Sequence, residues 1–321
     1  MEVQYYQNLG MPSDEALEKK NRKKSRYWNE GKWEYYIEPL LPKDCEDMTF
    51  VDVGCNAGLF LKLAKDKGFR DVIGIEKSRK AYERAIKYRD YLGYDYKVLN
   101  RMVGYDFSFD EVQVADVTLL SNVHYYFQIS DWLKYLDQLQ YKTCYCLIIT
   151  RPLRRVFHWM PLTQIADVRH YFRGWKEVGA IYRTRHKHIE ERDDPSPRVL
   201  WSLLFKSKLK RVKMENLERG APGGMVKLPT ADLIEQIANR KKVDIEKTDY
   251  YKTWRTRMER RWDEKTTKEF VRQKIDLMYD IKKNGMKDPI LVQLDNKIID
   301  GGHRIAILKE LGYKSIIART I

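Results

Sequence analysis

The chain has 321 residues, with 61 Lys and Arg against 46 Asp and Glu, a formal charge of +15, and 12% aromatic residues. That length is comfortable for two domains with separate cores, and no apolar run reaches the ~20 residues a bilayer span needs. The excess positive charge points to polyanionic partners (nucleic acid, acidic glycan, nucleotide or membrane surface), although the basic clusters are spread along the chain: Lys19–Arg26, Arg151 with Arg154 and Arg155, Lys206–Lys213, and Arg255–Arg261. No charged start leads into an apolar signal segment, and Cys45, Cys55, Cys144 and Cys146 follow no metal spacing, so a cytoplasmic protein without a metal centre is expected.

In chain order, Arg26–Tyr36 forms an aromatic and basic arm that either covers a ligand or packs as an ordinary N-terminal helix. Thr49–Val53 is an apolar run that enters a turn at Gly54 and Gly58, where the backbone can come close to a ligand. Helical periodicity starts at Leu59, Leu61 and Leu63. A second apolar strand, Val72–Ile75, ends at Glu76, where a carboxylate can accept hydrogen bonds from both hydroxyls of a ribose. Strand, glycine turn, helix, strand and terminal acid together predict a nucleoside site. The order Gly-Cys-Asn-Ala-Gly departs from the G-x-G-x-x-G turn of dinucleotide sites, which weakens the nicotinamide reading.

Asp52-Val-Gly-Cys-Asn-Ala-Gly58 resembles motif I of class I S-adenosylmethionine (SAM) methyltransferases. The resemblance implies a Rossmann-like, doubly wound α/β sheet that binds SAM. Gly54, Asn56 and Gly58 would then shape the turn under the methionine end, Asp52 would support it, and Glu76 would hold the ribose. Tyr96–Leu99 fits the third strand, with Asn100 where the family often contacts the adenine. Val114–Leu120 fits the fourth, and it delivers Ser121, a further cofactor candidate, and His124 to the carboxyl edge of the sheet. His124 is a candidate general base for an acceptor hydroxyl; the alternative is that His124, Tyr125 and Tyr126 roof the methionine pocket. Asp131–Leu139 reads as an amphipathic helix and Cys144–Ile149 as a buried strand. Val178–His188 and Val199–Lys206 read as a closing pair that turns at Asp193–Pro197.

Composition shifts after Lys206, and Arg219–Gly224 has linker chemistry. The expected organisation is a methyltransferase domain over 1–214, a linker over 215–224 and a smaller α+β domain over 225–321. In the last, Met225–Ile234 reads as a strand and a helix start. Phe270, Lys274, Leu277, Met278 and Ile281 form a helical face that stops at Asn284-Gly285. A hairpin follows, Pro289–Leu294 with Lys297–Ile299, and it empties into Asp300-Gly-Gly-His-Arg304 and a helix ending at Gly312. Gly301 and Gly302 at a helix N-terminus, with His303 and Arg304 adding donors, suit an anion.

This segment resembles the ParB/sulfiredoxin-like fold, which implies binding or hydrolysis of a nucleoside triphosphate, ATP or CTP with Mg, or phosphotransfer to a hydroxyl. Gly302 stands where sulfiredoxin needs a cysteine, and the chain ends at Ile321 where partition proteins continue into a DNA reader, so neither peroxiredoxin repair nor centromere binding is expected. Asp232, Glu235 and Asp300 are candidate carboxylates for a transfer step. The whole reading is a methyltransferase acting on a hydroxyl or amine of a glycan or small metabolite, with a triphosphate-binding C-terminal domain. The alternatives are a nucleic-acid methyltransferase and a nucleotide-gated nucleic-acid-binding protein.

Overall fold

The structure, a computed structural model, describes residues 9, 31–103, 111–124, 129–150, 165–183, 200–219 and 243–321. The chain divides into two compact units, residues 1–109 with 115–208, and 110–114 with 209–321. The turn expected at Asp193–Pro197, the strand and helix start expected at Met225–Ile234, and Asp232, Glu235, Tyr125 and Tyr126 lie outside the described residues.

The first unit is built on a mixed seven-stranded sheet in the order β3-β2-β1-β4-β5-β7-β6. Its strands are β1 (Thr49–Val53), β2 (Asp71–Ile75), β3 (Lys97–Leu99), β4 (Ala115–Ser121), β5 (Thr143–Thr150), β6 (Lys176–Arg183) and β7 (Leu200–Lys206). β1 to β5 are parallel, and β7 runs antiparallel to both β5 and β6. Every residue of β1 is buried, as expected for a parallel strand covered on both faces.

Trp33, Tyr36, Leu59–Leu61, Ala85, Phe50, Val117, Leu119, Leu147, Ile149 and Leu204 pack into one apolar cluster. It places the π-helical turn Trp33–Ile37, α1 (Leu59–Asp66) and α2 (Arg79–Leu92) on one face of the sheet. Neighbouring strand residues point to opposite faces. Phe205, next to Leu204, accordingly stacks on Phe172 on the other side, with Trp132 of α3 (Ile129–Leu139) against Phe172. Phe172 directly follows α4 (Ile165–Tyr171). The strand order reverses between β1 and β4, and in open α/β sheets ligands bind beyond the carboxyl ends of strands at such a reversal.

The second unit holds a five-stranded sheet in the order β8-β12-β10-β11-β9. The strands are β8 (Leu209–Lys213), β9 (Glu218–Arg219), β10 (Ile290–Val292), β11 (Lys297–Asp300) and β12 (Ser315–Thr320). Its helices are α5 (Asp249–Met258), α6 (Glu264–Asn284) and α7 (Gly302–Glu310). The division at Lys208/Leu209 lies earlier than the linker expected at 215–224, and β9 falls within that stretch. The lysine-rich run masks a strand: Leu209 and Val212 are buried, and β8 pairs antiparallel with β12.

α6 starts at Asp263, whose side chain accepts from the Thr266 N–H, and buries Val271, Ile275, Met278 and Ile281. Phe270, expected on that buried face, instead joins Trp254, Trp262 and His303 in an aromatic cluster. Val114 donates its N–H to Met286 O at 2.7 Å, so the residues just before β4 belong to the second unit. Gly285 makes room for this: a Cβ there would stand 1.3 Å from Gln113 Oε1.

Candidate functional site

The site of the first unit forms where β1, β2 and β4 end. Gly54 (φ +74°), Asn56 (φ +51°) and Gly58 (φ +90°) all adopt left-handed backbone, which glycine tolerates freely and asparagine better than most residues. The turn is tied to β2, because the N–H groups of Gly54 and Cys55 both donate to Ile75 O, at 2.7 and 3.2 Å. Gly74, which sequence reading passed over, lets the two segments approach: a Cβ there would lie 2.6 Å from both Cys55 Sγ and Leu61 Cδ1. The isolated glycine in an apolar strand was the available signal.

Glu76 does more than offer a carboxylate to a ligand. It is 7% exposed, and its Oε2 accepts from the Asn56 N–H and its Oε1 from the Ser78 N–H, both at 2.8 Å. It therefore clamps the glycine turn from the far side. A carboxylate has about four acceptor positions, so capacity for ribose hydroxyls remains. Asn100 donates its amide to Glu76 O at 2.8 Å and Lys77 O at 3.3 Å, fixing the main chain beyond β2.

Asp52 is 1% exposed, and neither carboxylate oxygen accepts a hydrogen bond among the described residues. Burial, and after it the neighbouring Glu76 carboxylate, push its carboxyl well above the usual carboxylate range, while Lys32 opposes the rise. Burial, then the charges of Asp52 and Glu76, likewise raise the Cys55 thiol. An orphaned buried carboxylate is costly unless a donor reaches it. The ammonium of an amino-acid ligand is such a donor, and the residues present therefore fit SAM.

Ser121, at the end of β4, accepts from Lys32 Nζ at 3.4 Å. His124 follows it but is 0% exposed, with its ring centre 6.4 Å from that of Trp132. Asp52, Gly54, Asn56, Gly58 and Glu76 thus come together around one turn, Asn100 and Ser121 lie at the ends of neighbouring strands, and His124 is enclosed. Lys32, which sequence reading placed only within a general basic arm, is the residue missed.

A family model described as "Methyltransferase domain" matches residues 25–193, more than half of the chain. The chain belongs to this methyltransferase family. The methyltransferase is SAM-dependent, and its sheet is the Rossmann-like α/β layer that motif I led us to expect. Solved structures to which it is similar include the PH0226 protein of Pyrococcus horikoshii OT3, at 11% identity and a TM-score of 0.45, covering 64% of this chain and 96% of that one. The N-methyltransferase NodS of Bradyrhizobium japonicum WM9, in complex with S-adenosyl-L-homocysteine (SAH), is similar at 14% identity and a TM-score of 0.39, covering 50% and 78%. TehB of Haemophilus influenzae is similar at 12% identity and a TM-score of 0.42, covering 60% and 66%. A search of curated proteins finds no match.

In the second unit of the methyltransferase, Asp300–Arg304 leads from β11 into α7. Gly301 (φ +101°) serves packing, since a Cβ there would stand 2.5 Å from Ile290 Cγ2. Arg304, expected to offer its guanidinium to an anion, spends it within the loop: Nη1 donates to Asp288 O and Pro289 O at 3.0 Å each, and Nη2 to Asp300 Oδ2 at 2.7 Å. His303 packs among Tyr250, Trp254 and Phe270. Burial, then the charge of Lys274, lowers its pKa to about 4, so it is neutral at pH 7 and brings no charge to an anion. Among the described residues, no cluster of three or more His, Cys, Asp or Glu could hold a metal, and no helix is long and apolar enough to cross a membrane.

Proposed function

We propose that the first unit transfers the SAM methyl group to a hydroxyl or amine of a glycan or small metabolite. The observation that carries the cosubstrate reading is the Asp52 carboxylate, buried without a donor beside a left-handed turn that Glu76 clamps. Asp52 would take the ammonium of the methionine end, the Gly54–Gly58 turn would lie under it, Glu76 would hold the ribose, and Asn100 would border the adenine. SAM, when bound, brings an already activated methyl on a sulfonium sulfur, so the chain's task is chiefly alignment of the acceptor. The enclosure of His124 beside Trp132 supports a packing role for it over that of general base. Deprotonation of the acceptor then falls to water or to the acceptor's own equilibrium. Incubating the protein with methyl-labelled SAM and separate fractions of glycans, small metabolites and nucleic acid tests the acceptor class: label confined to nucleic acid would reverse it.

A nucleic-acid acceptor is the second reading. Arg257 lies 5.5 Å from the centre of the Trp254 ring, Lys274 lies 4.9 Å from that of Phe270, and Trp254 stacks on Trp262, a combination suited to bases. For the second unit we propose a ParB/sulfiredoxin-like module that binds a nucleoside triphosphate. The support is a two-glycine turn opening a helix, whose backbone N–H groups would meet the anion, since the Arg304 side chain is committed to its own loop. Titrating ATP and CTP with Mg into the full chain tests it, and absence of binding for both would end that reading.

A further inference from the structure

In the second unit, α5 and α6 each present a buried face and a second face that is open to solvent. On α6, Val271, Ile275, Met278 and Ile281 are buried, whereas the Phe270 ring is half-buried and Lys274, one turn along, brings its Nζ to 4.9 Å from the ring centre. α5 repeats the arrangement. Tyr250 and Tyr251 are buried, while Trp254 is half-buried and Arg257, on the next turn, lies 5.5 Å from its ring centre.

The two open faces meet at the turn between the helices. Arg261 and Trp262 both donate their N–H groups to Met258 O at 2.8 Å, and Arg255 Nη1 donates to Trp262 O at 2.8 Å. This tight turn holds the Trp262 ring nearly parallel to that of Trp254, with centres 6.0 Å apart, and 5.1 Å from that of Phe270. Trp262 is itself half-buried, and Arg260 and Arg261 beside it are exposed. From Trp254 to Trp262 the chain carries four arginines against one glutamate. Aromatic rings left half open and edged by cations match a partner that alternates planar rings with negative charge. A single-stranded nucleic acid is such a partner, because its base faces are free to stack, whereas a duplex hides them. Glycan hydroxyls both donate and accept, and arginines offer them donors alone.

We propose that the turn between α5 and α6 is a docking surface for single-stranded nucleic acid, with Trp262 stacking on a base and Arg260 and Arg261 neutralising the flanking phosphates. This rests on the nucleic-acid reading above for the class of partner, and on nothing in the SAM site. It locates the contact on the second unit and restricts the partner to unpaired strands.

The test is fluorescence anisotropy of the full chain with a labelled oligothymidylate of about 12 nucleotides, and with a duplex of the same length, at salt concentrations from about 50 to about 200 mM. The parent should bind the single strand more tightly than the duplex. Trp262→Ala should weaken that binding by about 5- to 100-fold, and Trp262→Phe, which keeps a ring, should retain most of it. Arg260→Gln with Arg261→Gln should lower the slope of log affinity against log salt by about 1.4, the share of two phosphates on a single strand. Both arginines are exposed, so the double variant tests the surface even if Trp262→Ala proves unfolded by circular dichroism. No binding of the oligothymidylate by the parent, a preference for the duplex, or unchanged affinity and salt slope in folded variants would overturn the proposal. So would displacement of the strand by hyaluronan oligosaccharides at equal charge, which would assign the surface to acidic glycans. Binding of the strand as described, without methyl transfer to nucleic acid, would uphold the docking surface and remove nucleic acid as the methyl acceptor. Methyl transfer to nucleic acid with unchanged binding in the variants would uphold that acceptor and overturn this surface.

Discussion

Replacing Glu76 by Gln separates the two tasks of that residue. Its two oxygens each accept one backbone N–H at 2.8 Å, from Asn56 and Ser78. Glutamine keeps one acceptor and turns an NH2 group toward the other N–H, so one charge-assisted bond, about 1.5–3 kcal/mol, is lost. Opposing this, the Glu76 charge is, after burial, among the causes that raise the Asp52 carboxyl, so its removal offsets part of that loss. The net loss of stability should be no more than about 1.5–3 kcal/mol, measurable as a lower urea midpoint at unchanged slope. The ribose contact is a separate loss. An amide accepts from one hydroxyl where a carboxylate accepts from two, so SAH affinity should fall about 10- to 100-fold. A Glu76→Gln variant with the same urea midpoint and SAH affinity within about 2-fold of the parent would refute both the clamp and the ribose contact.

Three further substitutions probe other parts of the account. Gly54→Ala forces a side chain into φ +74° and puts its Cβ 3.0 Å from Val123 Cγ2. It should cost about 1–3 kcal/mol and at least ~10-fold in SAM affinity, read by urea unfolding and calorimetry. Arg304→Lys cannot reproduce two carbonyl bonds and the Asp300 contact together, so unfolding of the full chain should show the second unit losing about 1–3 kcal/mol while SAH binding is retained. His303 has a folded pKa of about 4, below its unfolded value, so the unfolded state binds the extra proton between those values. The stability this contributes is complete above about pH 6.5 and is lost as pH falls toward 4. A urea series across that window should show the decline in the parent chain and a flatter profile in His303→Leu.

Much of the first unit was legible because its signals are local. An apolar run, two glycines, a 3.6-residue period and an acid ~20 residues on determine β1, the turn, α1 and Glu76 with little help from the rest of the chain. Roles that depend on long-range packing were not legible. Nothing adjacent to Lys32 reveals that it lies against Ser121, 89 residues away. Asn100 was read as a ligand contact from its place in the family pattern and Arg304 from its chemistry; what the sequence did not show is that both side chains donate to main-chain carbonyls that only the folded chain brings near. β8 was hidden by its lysines, since two buried residues in five make a weak alternation. The stretch 110–114 belongs to the second unit through contacts with Met286 and Gly285, which no local pattern encodes.

The central claim, that the turn from Gly54 to Gly58 with Asp52 and Glu76 holds SAM, is tested most directly by titrating SAM into the full chain and into Gly54→Ala. The account predicts one SAM bound per chain, displaced by SAH, with affinity at least ~10-fold weaker in the variant. No SAM binding by the parent chain, or equal binding by both proteins, would contradict it.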